Sequence, residues 1–199
     1  MSTISVALSA RLAERAAHTG TVFLRAPVTG NPSVVVAGNL GIIISGPREA
    51  YGAVEAMLRD VGPSHFYVGP AEQARVVKLA LNLMVAGTTQ LMAEALVMAE
   101  RSDIDRATML EVMGGSVVGS PFVRYKTDAL VADDYSATFT TTGLYKDLAL
   151  ALEAANGAGV PLPVTAVVQQ LLQGCIASGM GELDFMALVL RLQREAGLR

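Results

Sequence analysis

A single cysteine, Cys175, leaves the chain without an internal disulfide or a multi-cysteine metal site, which fits a reducing, cytoplasmic setting. There are only two histidines, His18 and His65, and neither has a partner at metal-ligand spacing, so no metal is expected. Basic residues are not in excess: 15 Lys and Arg against 18 Asp and Glu give a net charge of −3. No basic stripe is available to neutralise phosphates, and a nucleic-acid partner is not expected. Long apolar runs are missing too. The two charge-free stretches, 26–47 and 154–181, are broken by prolines, glycines, asparagines and, in the second, three glutamines, so neither reads as a membrane span. Arg11 and Arg15 are not followed by an apolar run, so no signal peptide is read at the N-terminus.

What the chain does have is core material. Of its 199 residues 52% are hydrophobic and 17% charged, with a mean hydropathy of +0.44. That excludes a disordered chain and suits one domain or one and a half. The surplus of apolar residues points to buried helices and a subunit interface.

Residues 2–17 read as a helix stopped by Gly20, and 21–24 (TVFL) as a strand running into Arg25-Ala26-Pro27. Thr29-Gly30-Asn31-Pro32 is turn chemistry. Residues 40–45 and 65–68 read as strands around an amphipathic helix at 48–61. After Gly69-Pro70 the period changes, and everything that follows reads as helix: 71–101, 103–113 with Ser102 as cap, 122–130, 142–156, 163–174 and 183–196. The expected architecture is an α/β remnant over 1–68, the C-terminal part of a Rossmann-type sheet. An all-helical domain over 69–199 follows, built on the long helix that opens it. Three strands are too few for a sheet covered on both faces.

Lys78 stands alone. It is the only charge between Arg75 and Glu94, in a helix apolar nearly all round, which implies burial on most faces. Asn82, four residues on, lies on the same face. A buried lysine and amide cost stability unless they serve a ligand. By spacing alone, the lysine stem can equally lie along the core with its amine in water. Taken singly, Thr29-Gly30 is also readable as a plain turn, Lys146-Asp147 as a solvated helix face, and Ser2-Thr3 as a chain end or cap.

Three segments, in order, resemble the β-hydroxyacid dehydrogenases, the family of 3-hydroxyisobutyrate dehydrogenase and tartronate semialdehyde reductase, distantly related to 6-phosphogluconate dehydrogenase. The family's substrate loop D-A-P-V-S-G-G is matched by Arg25-Ala26-Pro27-Val28-Thr29-Gly30-Asn31. Its helix G-x-x-G-x-G-x-x-x-K-x-x-x-N is matched by Gly69, Glu72, Ala74, Lys78 and Asn82, and its F-x6-K-D-L by Phe139 and Lys146-Asp147-Leu148. Ser2-Thr3-Ile4 resembles the S-T-I loop that follows a Rossmann strand. Imine reductases, which share the architecture, generally lack the lysine.

The resemblance implies hydride transfer between NAD or NADP and a short β-hydroxy acid or its aldehyde or keto form. Lys78 would be the general acid/base, helped by burial that lowers its pKa. Asn82 would orient the substrate, and Thr29 and Gly30 would hold its carboxylate. Lys146, Asp147, Ser2 and Thr3 would lie toward the cofactor. A small carboxylate partner and a homodimer or homotetramer through the helical domain are implied, but no membrane partner. The G-x-G-x-x-G turn that seats the pyrophosphate occurs nowhere in the sequence. Weak or absent NAD(P) binding by this chain alone, and a separate Rossmann half as a further partner, are therefore expected. Arg25 replaces Asp, and Glu72 and Ala74 replace glycines; the charge of Glu72 would repel a carboxylate unless Arg25 or Arg75 offsets it. The alternative function is a non-catalytic helical dimerisation module derived from the same family.

Overall fold

The computed structural model describes residues 1–199. Ser5 sets the start of α1 (Val6–His18), its Oγ accepting the Leu8 N–H at 3.0 Å. The helix therefore begins later than expected, and Ser2, Thr3 and Ile4 stay outside it. Residues 21–24, expected as a strand, belong to none. Their β-branched and aromatic content favours a strand only where a neighbour supplies a ladder. Arg25 makes the first pairing, exchanging both backbone bonds with Ser45 at 2.9 and 3.0 Å.

From there the chain forms β1 (Val28–Thr29), α2 (Pro32–Val36), β2 (Gly41–Ser45), α3 (Arg48–Val61) and β3 (Ser64–Gly69). The strand order is β1-β2-β3, antiparallel across the first pair and parallel across the second. The short helix α2 stands where only a turn was expected. Asn31 caps it, Oδ1 accepting the Val34 N–H at 2.8 Å, and Pro32 occupies its first turn. β2 is buried along its whole length, as a continuous apolar run requires. Ile42 and Ile44 pack on Tyr51 and Leu58 of α3, with Leu24, Val28 and Tyr67 beside them.

The long helix α4 (Gln73–Glu100) is the one helix long and apolar enough to cross a membrane by length and composition. Lys78 and Glu94 kept it out of the charge-free stretches. It buries Arg75, Asn82, Thr89 and Gln90, polar groups that mark a helix inside a protein core. Burial on most faces, inferred from its apolar composition, does not hold. Val76, Met84, Leu91 and Met98 are exposed, the last three at intervals of seven.

The remaining elements are α5 (Arg106–Gly115), α6 (Pro121–Val131), α7 (Thr141–Gly157), α8 (Pro163–Cys175), a π turn at Ile176–Met180 and α9 (Ala187–Glu195). Asp105, not Ser102, caps α5, because residues 101–103 form a turn with Asp103 left-handed at φ 58°. The Asp105 carboxylate accepts from the Thr108 N–H at 2.9 Å and from its hydroxyl, and these bonds lower its pKa. α9 is shorter than the apolar pattern suggests because Asp184 is drawn into a polar network. Asp184 accepts Lys126 Nζ at 2.7 and 2.8 Å, the Thr138 hydroxyl at 2.8 Å and its own neighbour's Met186 N–H at 3.1 Å.

The chain forms two compact units. One comprises residues 1–83 with 147–162, the other residues 84–146 with 163–199.

Candidate active site

The first unit holds most of the residues singled out in the sequence. Lys78 is half-buried on α4. One turn on, Asn82 is buried, and its Nδ2 donates to Asp147 Oδ2 of α7 at 2.5 Å. Asp147 is only 2% exposed. The lysine–asparagine motif and the K-D-L motif are thus joined by a side-chain bond spanning 65 residues of sequence. Lys146 belongs to the second unit and is exposed on α7.

Thr29 closes β1 opposite Gly41, and the pairing depends on that glycine: a Cβ there would lie 2.7 Å from the Thr29 methyl. Gly30 follows at φ 141°, a conformation that L side chains rarely adopt, and a Cβ on it would meet Val34 at 2.9 Å. The Thr29-Gly30 turn is therefore fixed by glycine on both sides of the pairing. Ser2 is exposed and Thr3 half-buried in the extended opening segment.

Two arginines fasten these pieces together. Arg75, 4% exposed on the first turn of α4, donates from Nη1 to the Ser2 carbonyl at 2.6 Å and from Nε to Ser9 Oγ at 3.1 Å. Burial lowers its pKa; the nearby carboxylate of Glu72 opposes that shift, and Arg25 adds to it. Arg25 is buried and donates from Nε to Glu72 Oε1 at 2.8 Å, with a second bond from Nη2 to the same oxygen. Its Nη1 donates to the Phe23 carbonyl at 3.1 Å, and the guanidinium lies over the Phe23 ring. Of the two arginines that could offset Glu72, Arg25 makes the ion pair and Arg75 turns to Ser2 and Ser9.

Sequence reasoning missed Ser45 and Ser9. Ser45 Oγ donates to the Ala71 carbonyl at 2.6 Å and accepts the Ala74 N–H at 3.1 Å, tying the end of β2 to the start of α4. The only sequence signal for it was a lone serine ending an apolar strand before Gly46-Pro47.

Residues 73–192 match the family model described as the NAD-binding domain of NADP-dependent 3-hydroxyisobutyrate dehydrogenase, and residues 1–69 match the NAD binding domain of 6-phosphogluconate dehydrogenase. The chain belongs to the β-hydroxyacid dehydrogenase family, whose redox cofactor is NAD or NADP. It is 30% identical over 190 residues to 2-(hydroxymethyl)glutarate dehydrogenase of Eubacterium barkeri, covering 95% of this chain and 63% of that protein. It is 28% identical over 193 residues to 2-hydroxy-3-oxopropionate reductase of Escherichia coli, covering 97% of this chain and 66% of that one. The fold matches the crystal structure of 3-hydroxyisobutyrate dehydrogenase from Salmonella typhimurium with a TM-score of 0.88 at 23% identity, over 94% of this chain and 66% of that one. The chain thus spans somewhat under two thirds of the length of these proteins.

Proposed function

We propose that the chain carries the substrate-binding and proton-transfer part of an NAD(P)-dependent oxidoreductase acting on a short β-hydroxy acid and its aldehyde or keto form. The observation that supports this most is the Asn82–Asp147 bond, which gathers the two motifs around the helix face bearing Lys78. Two relatives are named for 2-(hydroxymethyl)glutarate and 2-hydroxy-3-oxopropionate, both carboxylates with a hydroxyl or oxo group, which supports a small carboxylate as substrate.

In this reading Thr29 and Gly30 hold the carboxylate through a hydroxyl and a backbone N–H. Asn82, fixed by Asp147, orients the hydroxyl-bearing carbon. The Lys78 amine takes the hydroxyl proton as the acid is oxidised and returns it as the aldehyde is reduced. The nicotinamide, when bound, accepts or supplies the hydride. The hydroxyls of Ser2 and Thr3 are donors that suit its carboxamide. No run of residues has the glycine pattern that seats a pyrophosphate, so NAD(P) affinity of these residues alone is expected to be weak.

The test is NMR-detected binding of 3-hydroxypropionate to the full chain. The expected result is saturable binding that Lys78→Ala and Asn82→Ala each weaken at least fivefold. Absence of binding to the unaltered chain overturns the reading. A role in self-association rests on a separate observation, the exposed Met84, Leu91 and Met98 of α4. Light scattering should give a homodimer or homotetramer, and Leu91→Glu should shift it toward monomer.

A further inference from the structure

We propose that the Arg25–Glu72 ion pair is a positioning device that sets the length of carboxylate substrate the site accepts; this rests on the substrate reading above. Both residues depart from the family pattern, and they depart together: the arginine that replaces an acidic residue at the head of the substrate loop is paired with the glutamate that replaces a glycine before the catalytic helix. A buried guanidinium needs a counter-charge, and Glu72 supplies it.

The pair closes a circuit. Arg25 exchanges both backbone bonds with Ser45. The Ser45 hydroxyl bonds Ala71 and Ala74 on either side of Glu72. Glu72 returns to the Arg25 side chain. Each end of the circuit carries a stiff arm. On one side, Arg25 leads through Pro27, which is buried, to Thr29 and to Gly30, whose φ of 141° suits glycine alone. On the other, α4 carries Lys78 six residues beyond Glu72, about 9 Å along a helix axis. The carboxylate-holding turn and the proton-transfer amine are thus referenced to one rigid junction. The length of the Glu72 side chain is one of the few adjustable dimensions in it.

The experiment measures dissociation constants of glycolate, 3-hydroxypropionate and 4-hydroxybutyrate for the full chain, alongside thermal midpoints. The unaltered chain is expected to prefer one length at least fivefold. Glu72→Asp, which keeps the charge and shortens the tether by one methylene, is expected to move the preference at least threefold toward a shorter acid. Arg25→Met with Glu72→Leu, which removes both charges at once, is expected to flatten it to within twofold. Arg25→Lys is expected to retain most of it. A purely structural pair would lower the thermal midpoint and leave the ratios between acids unchanged, and that result, or an unaltered chain indifferent to length, overturns the proposal while the substrate reading stands. If no hydroxy acid binds the unaltered chain, the substrate reading itself fails and the proposal falls with it.

Discussion

Asn82 on α4 and Asp147 on α7 are hydrogen-bonded at 2.5 Å, both buried, so that a neutral amide presents its N–H to a carboxylate inside the protein. The bond fixes the amide's orientation: with Nδ2 turned to Asp147, the carbonyl oxygen is the end left to face elsewhere. A substrate hydroxyl is a donor suited to that oxygen.

Asn82→Leu removes the donor and leaves a buried carboxylate short of one bond, at a cost of about 1–3 kcal/mol. Urea denaturation checks it. Asn82→Asp faces two carboxylates across the same gap, so one is held protonated well above the usual range. Because the folded pKa of that pair is raised, the variant should be relatively most stable in acid and lose stability as pH rises. Thermal midpoints between pH 4 and 8 should slope the opposite way from those of the unaltered chain, and a parallel slope would contradict the geometry.

Under the proposed function, Lys78→Ala lowers any NADPH-dependent reduction of a short aldehyde acid by about 10²-fold or more, with a small effect on cofactor affinity. The assay uses the full chain at millimolar NADPH. Turnover equal to that of the unaltered chain would remove Lys78 from proton transfer.

In the second unit, Lys126 is 3% exposed, donates to both oxygens of Asp184 and to Thr138, and lies over the Phe185 ring. Burial lowers its pKa, and Asp184 opposes the shift. Lys126→Met strands a buried carboxylate and should cost about 3–5 kcal/mol, whereas Lys126→Met with Asp184→Leu should cost distinctly less. Chemical denaturation of the single and double variants gives the comparison.

Cys175 is fully buried, and burial pushes its thiol up to about 11, above its ordinary value of 9.0. A raised folded pKa means this contribution to stability is complete below pH 9.0 and is lost as pH climbs toward 11, where only the unfolded thiol has ionised. Iodoacetamide at pH 8 should leave the folded chain unmodified and alkylate it in denaturant. Fast labelling of the folded chain would contradict the burial.

Much of this was legible beforehand because it is local. Helix α3 has its proline entry and glycine exit written in the sequence, and β2 reads as buried from three consecutive isoleucines. Lys78 and Asn82 share a face by arithmetic. What escaped depends on contacts far apart in the chain. Residues 21–24 have strand composition but no ladder. Asp184 is held outside α9 by partners that include Lys126, 58 residues away. Whether Arg25 or Arg75 pairs with Glu72 could be posed from charge but not decided without the fold. Asn31-Pro32 carries turn chemistry and capping chemistry at once, and the fold uses the second.

Two of the three crossings between the compact units fall inside helices. One falls within α4 after Leu83, one within α7 at the peptide bond between Lys146 and Asp147, and the third between Leu162 and Pro163, at the end of the loop before α8. Gene fusion or recombination could therefore not swap one unit for a foreign counterpart by cutting at loops alone. Any such exchange would sever a helix, and at the second seam it would part the lysine from the aspartate of a single motif.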